Sequence, residues 1–395
     1  MDLPSRNWKP LLPLLLLALL LFYEERVSLP SCTLVPSNSR QNDAAEEKNL
    51  DDDLKVMIVA NLLLVGSKTS YFDLYFRDYY MSKFFRKSFR SLKPDMLLVL
   101  GDVSAAGFEL SKSKWVSVLH QFHGILGPFL ELPVHVVLGD RDIGECSKLN
   151  SSSVHWVSRN FPGLDSAGCG GFDISNVSFV SLNAVALLCG NNKLRFSVEK
   201  AIETESIDLR MGTEGAMDGI VNFRKLPDSF SWKENAMSSG SGPVLLLHFP
   251  LHRTANDNCK GHNSIEKAAT SFQDDTDALE SRGPYDLLHT VPPNASEYIF
   301  QALKPRIIFS AHSHEFCDYT HSDGIREVTV PAMTWKARDD PGFIIATFHG
   351  VKRSVSVSYC SLARESHVLI VYACFLILLL TTWLMTNKPQ NSSFR

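Results

Sequence analysis

Short apolar runs that each end in an acid or a histidine place the strongest constraint on how this 395-residue chain can fold. The first runs are separated by two segments, 71–92 and 115–126, whose apolar side chains recur at helical spacing. Strands that alternate with helices predict parallel βαβ units. Later runs are richer in strands, so we predict an α/β fold in which helices cover a mixed pair of sheets.

The polar residues that follow these runs form one candidate site. They are Asp102, Asp140, Asp142, His248, His312 and His314. Because ligands of open α/β sheets bind at the carboxyl ends of strands, these side chains are expected to converge. One such histidine alone is more often a structural residue. Several imidazoles and carboxylates together, two of them spaced His-x-His, instead predict a site for a divalent metal.

Two apolar segments lie outside this fold. Residues 11–23 are mostly leucine and fit either a signal-anchor or transmembrane segment, or the core of a signal peptide. Residues 367–386 carry no formal charge over a length that spans a bilayer, which predicts a transmembrane helix. The remaining boundaries are a cytosolic N-terminal tail at 1–10, a polar linker at 24–54, a main domain at 55–362 and a cytosolic tail at 387–395.

Features of the main domain favour a lumenal orientation in the secretory pathway, in the endoplasmic reticulum or Golgi. Triplets that match N-glycosylation acceptors begin at Asn150, Asn176 and Asn294, although such triplets also arise by chance. Eight cysteines without a zinc-binding spacing fit structural disulfides better than catalysis. A net charge of -4 argues against a nucleic-acid partner. We therefore expect an integral membrane protein.

The order of the polar motifs resembles one family. GD at 101–102, GDRD at 139–142, the lone His248 and AHSH at 311–314 are similar to the signature of calcineurin-like metallophosphoesterases. The flanking stretches LHFPLHR, AHSHEFC and VTVPAMTWKARDDPGF resemble the membrane-bound branch that trims ethanolamine phosphate from GPI anchors. This resemblance implies a four-layer α/β/β/α sandwich and a cofactor of one or two divalent ions, with manganese favoured and zinc or iron possible.

Carried over to this chain, the resemblance implies one complete metal position. Asp102 would bridge, His248 and His312 would ligate, and Asp140 stands where the family has asparagine. The other position is damaged. Here Asn61, a weak ligand, replaces an aspartate, and the apolar Leu63 replaces a histidine. Asp102 and His314 alone remain as full ligands at that position, too few for tight binding.

The general-acid histidine of the family is also replaced, by Arg141. Arginine stays protonated, so it is no general acid, but its planar fork suits a phosphate contact. Asp142 is then expected to pair with Arg141, and a simple ion pair within the loop is the alternative role for this arginine. The polar stretches 205–240 and 254–292 are interpreted as irregular loops or insertions, mobile or capping the site.

Three functions remain open from the sequence. The first is a phosphodiesterase that removes ethanolamine phosphate during GPI-anchor remodelling and promotes endoplasmic reticulum-to-Golgi export of GPI-anchored proteins, with a GPI glycan or another phosphodiester as substrate. The second is a catalytically impaired pseudo-phosphoesterase that binds, sorts or scaffolds in the same pathway, with cargo-receptor proteins as possible partners. The third is a metal-free scaffold. The sequence leaves turnover undecided.

Overall fold

A computed structural model describes residues 12–35, 53–68, 70–189, 193–214, 242–253, 290–350 and 354–386. The strands in these ranges are β1 (Ser31–Val35), β2 (Leu54–Val59), β3 (Met96–Leu100), β4 (Val134–Val137), β5 (Gly170–Ile174), β6 (Val177–Ser181), β7 (Val244–Leu246), β8 (Ile307–Ser310), β9 (Cys317–Thr320), β10 (Arg326–Thr329), β11 (Gly342–Phe348) and β12 (Val355–Ser361). The helices are α1 (Leu12–Val27), α2 (Asp78–Leu92), α3 (Lys112–Leu126), α4 (Asp140–Ile143), α5 (Ser151–Ser158), α6 (Ala184–Leu188), α7 (Lys193–Glu214), α8 (Pro293–Leu303) and α9 (Glu365–Thr386). A π-helical turn, Asp73–Arg77, leads directly into α2.

The described strands form two mixed sheets of six strands each. The first has the order β1-β12-β11-β2-β3-β4, and the second has the order β5-β6-β7-β8-β10-β9. Strands β2, β3 and β4 are parallel, as are β6, β7, β8 and β10, whereas the outer strands pair antiparallel. The mixed α/β architecture predicted from the alternating runs is therefore confirmed.

Alternation of buried side chains along the strands creates the layers. In β2, Met57 packs in the same apolar cluster as Phe84 of α2. Its neighbour Ile58 points to the opposite face and packs in a second cluster with Phe179 and Phe309 of the other sheet. Because successive side chains of a strand face opposite ways, the two sheets lie face to face and the helices cover their outer faces.

Helix α2 illustrates why these segments are helical. Tyr80, Phe84 and Ser88 are buried at a spacing of four residues, while lysines and arginines stand between them. The helix ends at Leu92, and the C-cap residue Lys93 adopts a left-handed conformation with φ 48°. The predicted helical segments 71–92 and 115–126 are thus helical in the structure, although a π-helical turn begins the first and α3 starts at Lys112.

Two predicted boundaries are wrong. Part of the expected linker at 24–54 is ordered structure, because α1 continues to Val27 and β1 pairs antiparallel with β12. A disulfide between Cys32 and Cys360 fixes this pairing across 328 residues of sequence. The stretch 205–240 is predicted to be irregular, but α7 extends into it as far as Glu214. Residues 215–240 and 254–289 lie outside the described residues.

The cysteines that the structure describes are mainly structural. Besides the bond at β1, Cys146 and Cys189 form a disulfide, and Cys317 is also disulfide-bonded. Cys169 is a buried free thiol, and Cys374 of α9 is a free thiol on an exposed surface.

Helix α9 is the one described helix that is long and apolar enough to cross a membrane, and little of its span is buried in the protein. The candidate membrane span starts at Glu365, two residues before the predicted boundary. Helix α1 packs beside it and exposes mostly leucine side chains. Length and composition alone make α9 a modest indication of a membrane anchor.

Candidate metal centre

Three of the predicted ligands meet at the carboxyl ends of β4, β7 and β8. Asp140 Oδ1 lies 3.0 Å from His248 Nε2 and 3.2 Å from His312 Nδ1. The three ligand atoms all lie within 4.8 Å of one another. One carboxylate oxygen and two imidazole nitrogens at this spacing are a suitable partial shell for a divalent cation.

A hydrogen bond to the backbone fixes the orientation of the His248 imidazole. Its Nδ1 lies 2.8 Å from the carbonyl oxygen of Leu100, to which it donates, so Nε2 faces Asp140. This arrangement selects the tautomer that metal-bound histidines use. Gly101, with φ 81°, is required here because a Cβ at that position would lie 2.3 Å from His248 Nδ1. The glycine of the first GD motif therefore makes room for the ligand behind it.

Asp102 adjoins this group. Its Oδ1 lies 3.5 Å from His248 Nε2 and accepts the backbone N–H of Arg141 at 3.0 Å. A Cβ on Gly139 would come within 2.2 Å of the same oxygen, so the glycine of the second GD motif is also needed for close approach. The structure thus places Asp102 beside the three converging ligands, on the side of His248.

Burial and mutual charge shape the protonation of this group. Burial raises the pKa of Asp102 to about 7 against the opposing effect of His248. Burial also disfavours charge on Asp140 and His248, but their contacts outweigh it. Hydrogen bonds from His248 and His312 lower the pKa of Asp140, and the two aspartates raise the pKa of His248 to about 9. The site therefore favours a positive charge at its centre, and a bound cation would displace a proton.

Asp142 does not pair with Arg141, so that prediction is wrong. Asp142 is buried, and its carboxylate accepts backbone N–H groups from Ser104 at 2.8 Å and from Gly139 at 3.1 Å. These bonds tie the loop after β3 to the loop after β4, which explains why the carboxylate turns inward. Burial raises its pKa to about 6, although the backbone donors oppose the shift.

Arg141 instead points its guanidinium towards Asp102. Its Nε lies 3.5 Å from Asp102 Oδ2, and 43% of its side chain remains exposed. A guanidinium that is partly exposed at the edge of a ligand cluster has free N–H groups for the oxygens of a phosphate.

The second predicted metal position contains polar atoms that have no partner in the part of the chain that the structure describes. Both side-chain polar atoms of Asn61 and the Nδ1 of His314 are buried and make no hydrogen bond within the described residues. Leaving such groups unpaired is costly unless a ligand satisfies them. These orphaned donors, together with Asp140, His248 and His312, fit the binding of a divalent cation. Leu63, which is buried and apolar, offers no ligand.

Unusual backbone conformations are concentrated at the same strand ends. Five non-glycine residues there have left-handed φ angles between 52° and 62°, namely Asn61, Leu63, Asp102, His312 and His314. Each such residue costs free energy, and strain of this kind is commonly retained at functional sites. Leu63 shares this backbone conformation, although its side chain offers no ligand atom.

Sequence reasoning missed two basic residues beside the centre. Lys336 Nζ donates to the carbonyl oxygen of Leu63 at 3.4 Å, and Arg338 donates to the carbonyl oxygen of His314 at 2.8 Å. Burial lowers the pKa of Lys336. The signal in the sequence that could identify them is the pair of basic residues in the stretch WKARDD.

A buried hydrogen-bond network supports the loops that carry His248 and His312. Glu327 of β10 is fully buried and accepts hydrogen bonds from Ser310 at 2.6 Å and from the backbone of Leu251 at 3.3 Å. Burial disfavours its charge, but His321 at 2.7 Å and the guanidinium of Arg253 hold its pKa below the ordinary value. The loop after His248 and the end of β8 before His312 are thus anchored to one carboxylate.

The glycosylation candidates lie on the surface. Asn150, Asn176 and Asn294 are all exposed. Asn150 caps α5 through its side-chain oxygen, which accepts the N–H of Ser152 at 2.9 Å. Asn176 occupies the tight turn between β5 and β6. Their exposure is compatible with a glycan, but whether one is attached stays a prediction.

The fold and the metal centre define a metallophosphoesterase. A family model described as calcineurin-like phosphoesterase matches residues 73–316, more than half of the chain, and this protein belongs to that family. The resemblance identified from the motifs is therefore confirmed. The family implies divalent metal ions as cofactor, without determining which metal.

Individual relatives are similar over most of the chain. Metallophosphoesterase 1 of Rattus norvegicus is 27% identical over 344 residues, which cover 86% of this chain and 80% of the relative. Metallophosphoesterase 1 of Xenopus laevis is 28% identical over 342 residues, covering 84% of this chain and 78% of the relative. Among solved structures, a dimetal phosphatase from Danio rerio matches with a TM-score of 0.40 and 12% identity, covering 74% of this chain and 92% of that chain.

Proposed function

We propose that this chain is a membrane-bound, metal-dependent phosphodiesterase of the secretory pathway that removes ethanolamine phosphate from GPI anchors. By this remodelling it would promote endoplasmic reticulum-to-Golgi export of GPI-anchored proteins. The observation that carries the proposal is the convergence of Asp140, His248 and His312, with the guanidinium of Arg141 beside them. The similarity of the chain to Metallophosphoesterase 1 supports the same chemistry.

Asp140, His248 and His312 would hold the cation, manganese by preference, and Asp102 would contribute from the side of His248. A bound divalent ion supplies Lewis acidity, which activates a water molecule and offsets the charge of a phosphoryl group. The hydrogen bond from His248 to Leu100 keeps the imidazole in its ligating tautomer.

Arg141 would bind the substrate rather than move a proton. Its exposed N–H groups suit two phosphoryl oxygens at once, and its attachment to Asp102 restrains the guanidinium. Lys336 adds a second positive charge near Leu63, on the side where a ligand is missing. Because no histidine stands at position 141, protonation of the leaving oxygen is weakly assisted. General-acid catalysis typically contributes about 10²-fold or more, so turnover should be slow.

A catalytically impaired pseudo-phosphoesterase is the second candidate. It is favoured by the buried, apolar Leu63 and by Arg141, since both replace groups that the reaction uses. Such a protein would retain one cation and a phosphate contact and would serve as a binding, sorting or scaffold subunit with cargo-receptor partners in the same pathway.

Turnover by the reconstituted full chain separates these candidates. Hydrolysis of a generic phosphodiester should require added manganese and should disappear in His248→Ala. His123→Ala, which removes an exposed histidine of α3, is the matched control and should leave the rate unchanged. A wild-type rate equal to that of His248→Ala, while the wild type binds metal, would exclude the phosphodiesterase and favour the pseudo-phosphoesterase.

A further inference from the structure

An exposed aromatic face leads into helix α2. It consists of Tyr71, Phe72, Leu74, Tyr75 and Tyr79, each of which exposes 47% or more of its surface. The rings of Tyr71 and Tyr75 stack with their centroids 6.3 Å apart. Clustered apolar groups on a surface mark an interaction site, and tyrosine is a side chain suited to the boundary between lipid and water.

One side of the aromatic face touches the start of α9. Phe72 stacks on Phe76 at 5.0 Å, and Phe76 contacts Tyr372 of α9 at 6.3 Å. Arg77 donates to Glu365, the first residue of α9, at 2.6 Å. The exposed rings therefore continue directly into the helix that is apolar enough to cross a membrane.

Helix α1 is fastened to the side of α2 that adjoins the aromatic face and includes the buried Tyr80 and Lys83. The hydroxyl of Tyr80 lies 2.8 Å from Glu24 and 3.0 Å from the hydroxyl of Tyr372. Lys83 forms an ion pair with Glu24, and Lys87 forms an ion pair with Glu25. The acidic end of α1 and the first turns of α9 thus meet at one place on α2. Both helices then continue away with leucine-rich surfaces exposed.

The aromatic face also lies at the end of the first sheet where β3 and β4 lead into the metal centre. Helix α2 ends at Leu92, shortly before β3 begins at Met96, and β3 ends next to Asp102. Since α2 runs back along β3, the beginning of α2 lies at the edge where the strand ends. Over 15 residues, α2 is about 22 Å long, enough to match the length of the strand.

A short loop links the two places directly. Trp335 stacks on Phe76 at 5.4 Å, and its neighbour Lys336 donates to the carbonyl oxygen of Leu63. Two residues further on, Arg338 binds the carbonyl oxygen of His314, and Asp339 accepts the backbone N–H of Ser366 in α9 at 2.7 Å. One loop therefore contacts both the metal centre and the start of α9.

We infer that the aromatic face lies in the interfacial zone of the bilayer that α9 enters, and that it holds the metal centre at the membrane surface. This placement would bring the centre to the level of the lipid-anchored phosphate ester proposed above as its substrate. The inference rests on the membrane anchoring and the phosphoesterase chemistry proposed above. A bilayer is the occupant favoured over a second protein because the face is continuous with two helices whose exposed surfaces are apolar.

Spin labelling of the full chain tests the position of the aromatic face without any need for turnover. Cys374→Ala removes the exposed free thiol, and Tyr75→Cys then introduces one nitroxide label in phosphatidylcholine nanodiscs. Leu130→Cys is the matched control because Leu130 is 53% exposed. It adjoins Phe129, which packs on Phe85 and Phe89 towards the far end of α2.

For each label, the quantity measured is the ratio of its collision rate with oxygen to its collision rate with a water-soluble nickel complex. This ratio should be severalfold higher for the label at 75 than for the label at 130. Equal ratios at the two positions would overturn the inference. Shielding of the label at 75 from both reagents would overturn it too, because a protein surface would then cover the face. If Tyr75→Cys does not fold, Tyr71→Cys tests the same face.

A second readout separates this inference from the proposed activity. Tyr71→Ser with Tyr75→Ser should lower hydrolysis of a lipid-borne phosphodiester severalfold and leave hydrolysis of a water-soluble one unchanged. Turnover of the soluble substrate together with a water-exposed label at 75 would contradict the membrane position of the aromatic face but not the phosphodiesterase activity. A label in lipid without any turnover would contradict the proposed phosphodiesterase activity and would support the membrane position of the metal centre.

Discussion

The guanidinium of Arg141 is paired with the carboxylate of Asp102, with Nε 3.5 Å from Oδ2, while the backbone N–H of the same residue binds Oδ1 at 3.0 Å. One residue thereby contacts both oxygens of a buried carboxylate that the family resemblance implies as a bridge between two cations. The guanidinium supplies a fixed positive charge next to that carboxylate. This arrangement is consistent with a centre that uses one metal ion and one arginine.

Replacement of Arg141 should weaken anion binding without removing the metal. Arg141→Ala is expected to lower the affinity for inorganic phosphate roughly tenfold or more, which corresponds to the loss of one charged hydrogen bond. Arg141→Lys should recover only part of the affinity because a lysine lacks the planar fork. Calorimetry of phosphate binding measures both variants. If Arg141→Ala leaves both the affinity for phosphate and the metal content unchanged, Arg141 forms only an ion pair within the loop and does not bind the anion.

The metal ligands should differ in importance. His248→Ala and Asp102→Ala should each sharply reduce bound metal, because the first removes a ligating nitrogen and the second removes the adjoining carboxylate. His314→Ala should do less, since His314 belongs to the damaged position, where the buried, apolar Leu63 offers no ligand. Metal analysis of the purified variants measures the difference. Equal losses in all three would contradict the division into an intact and a damaged position.

The stability of the protein should fall in mild acid because of His135. This residue is buried, with Nε2 2.8 Å from the hydroxyl of Ser181, and burial lowers its pKa from 6.5 to about 4. Between these values the unfolded chain binds a proton that the folded chain does not. His135 therefore destabilises the fold progressively as the pH falls from about 6.5 to about 4, by up to about 3 kcal/mol.

Denaturant titrations at several pH values measure this dependence. His135→Gln removes the titrating group, so the free energy of unfolding should decline less steeply over that range than in the wild type. His123→Gln, at an exposed histidine of α3, is the matched control for the loss of an imidazole. Identical slopes in the wild type and His135→Gln would show that His135 is not held neutral in the folded protein.

The disulfide between Cys32 and Cys360 should stabilise the fold, because it closes a loop across 328 residues and fastens β1 to β12. Replacing both cysteines by serine should lower the free energy of unfolding by roughly 2–5 kcal/mol. Cys374→Ser, at a free thiol, is the control and should have no effect. A double variant as stable as the wild type would mean that β1 is held without the covalent bond.

The proposed lumenal orientation predicts glycans on the main domain. Endoglycosidase treatment of the protein from cells should shift its gel mobility, and combined replacement of Asn150, Asn176 and Asn294 by Gln should abolish the shift. The three side chains are exposed, so the replacements should not disturb the core. A chain that carries no glycan would contradict the lumenal orientation.

The sequence predicted the strand ends of the site because each buried run is followed immediately by its polar residue, and parallel strands bring those ends together. It did not predict β1, a short strand exposed along most of its length, whose position depends on a partner near the other end of the chain. The partner of Asp142 was also missed. Its carboxylate turns to backbone N–H groups of the loop after β3, and no side-chain pattern records such donors.

Lys336 and Arg338 were missed for a related reason. They reach the centre through carbonyl oxygens of Leu63 and His314, so their contacts depend on how a distant loop folds back. The substitutions at Asn61, Leu63 and Arg141 were visible from the sequence. Their consequences were not, since only the structure places the guanidinium on Asp102 and shows the Asn61 amide without a partner among the described residues.

The most direct test of a one-metal phosphodiesterase is metal content by mass spectrometry, with hydrolysis of a phosphodiester measured on the same purified full chain. We expect about one divalent ion per chain and slow turnover that stops when the ion is chelated and returns when manganese is added. Absence of bound metal after incubation with manganese would contradict a metal-dependent phosphodiesterase and would favour a metal-free scaffold.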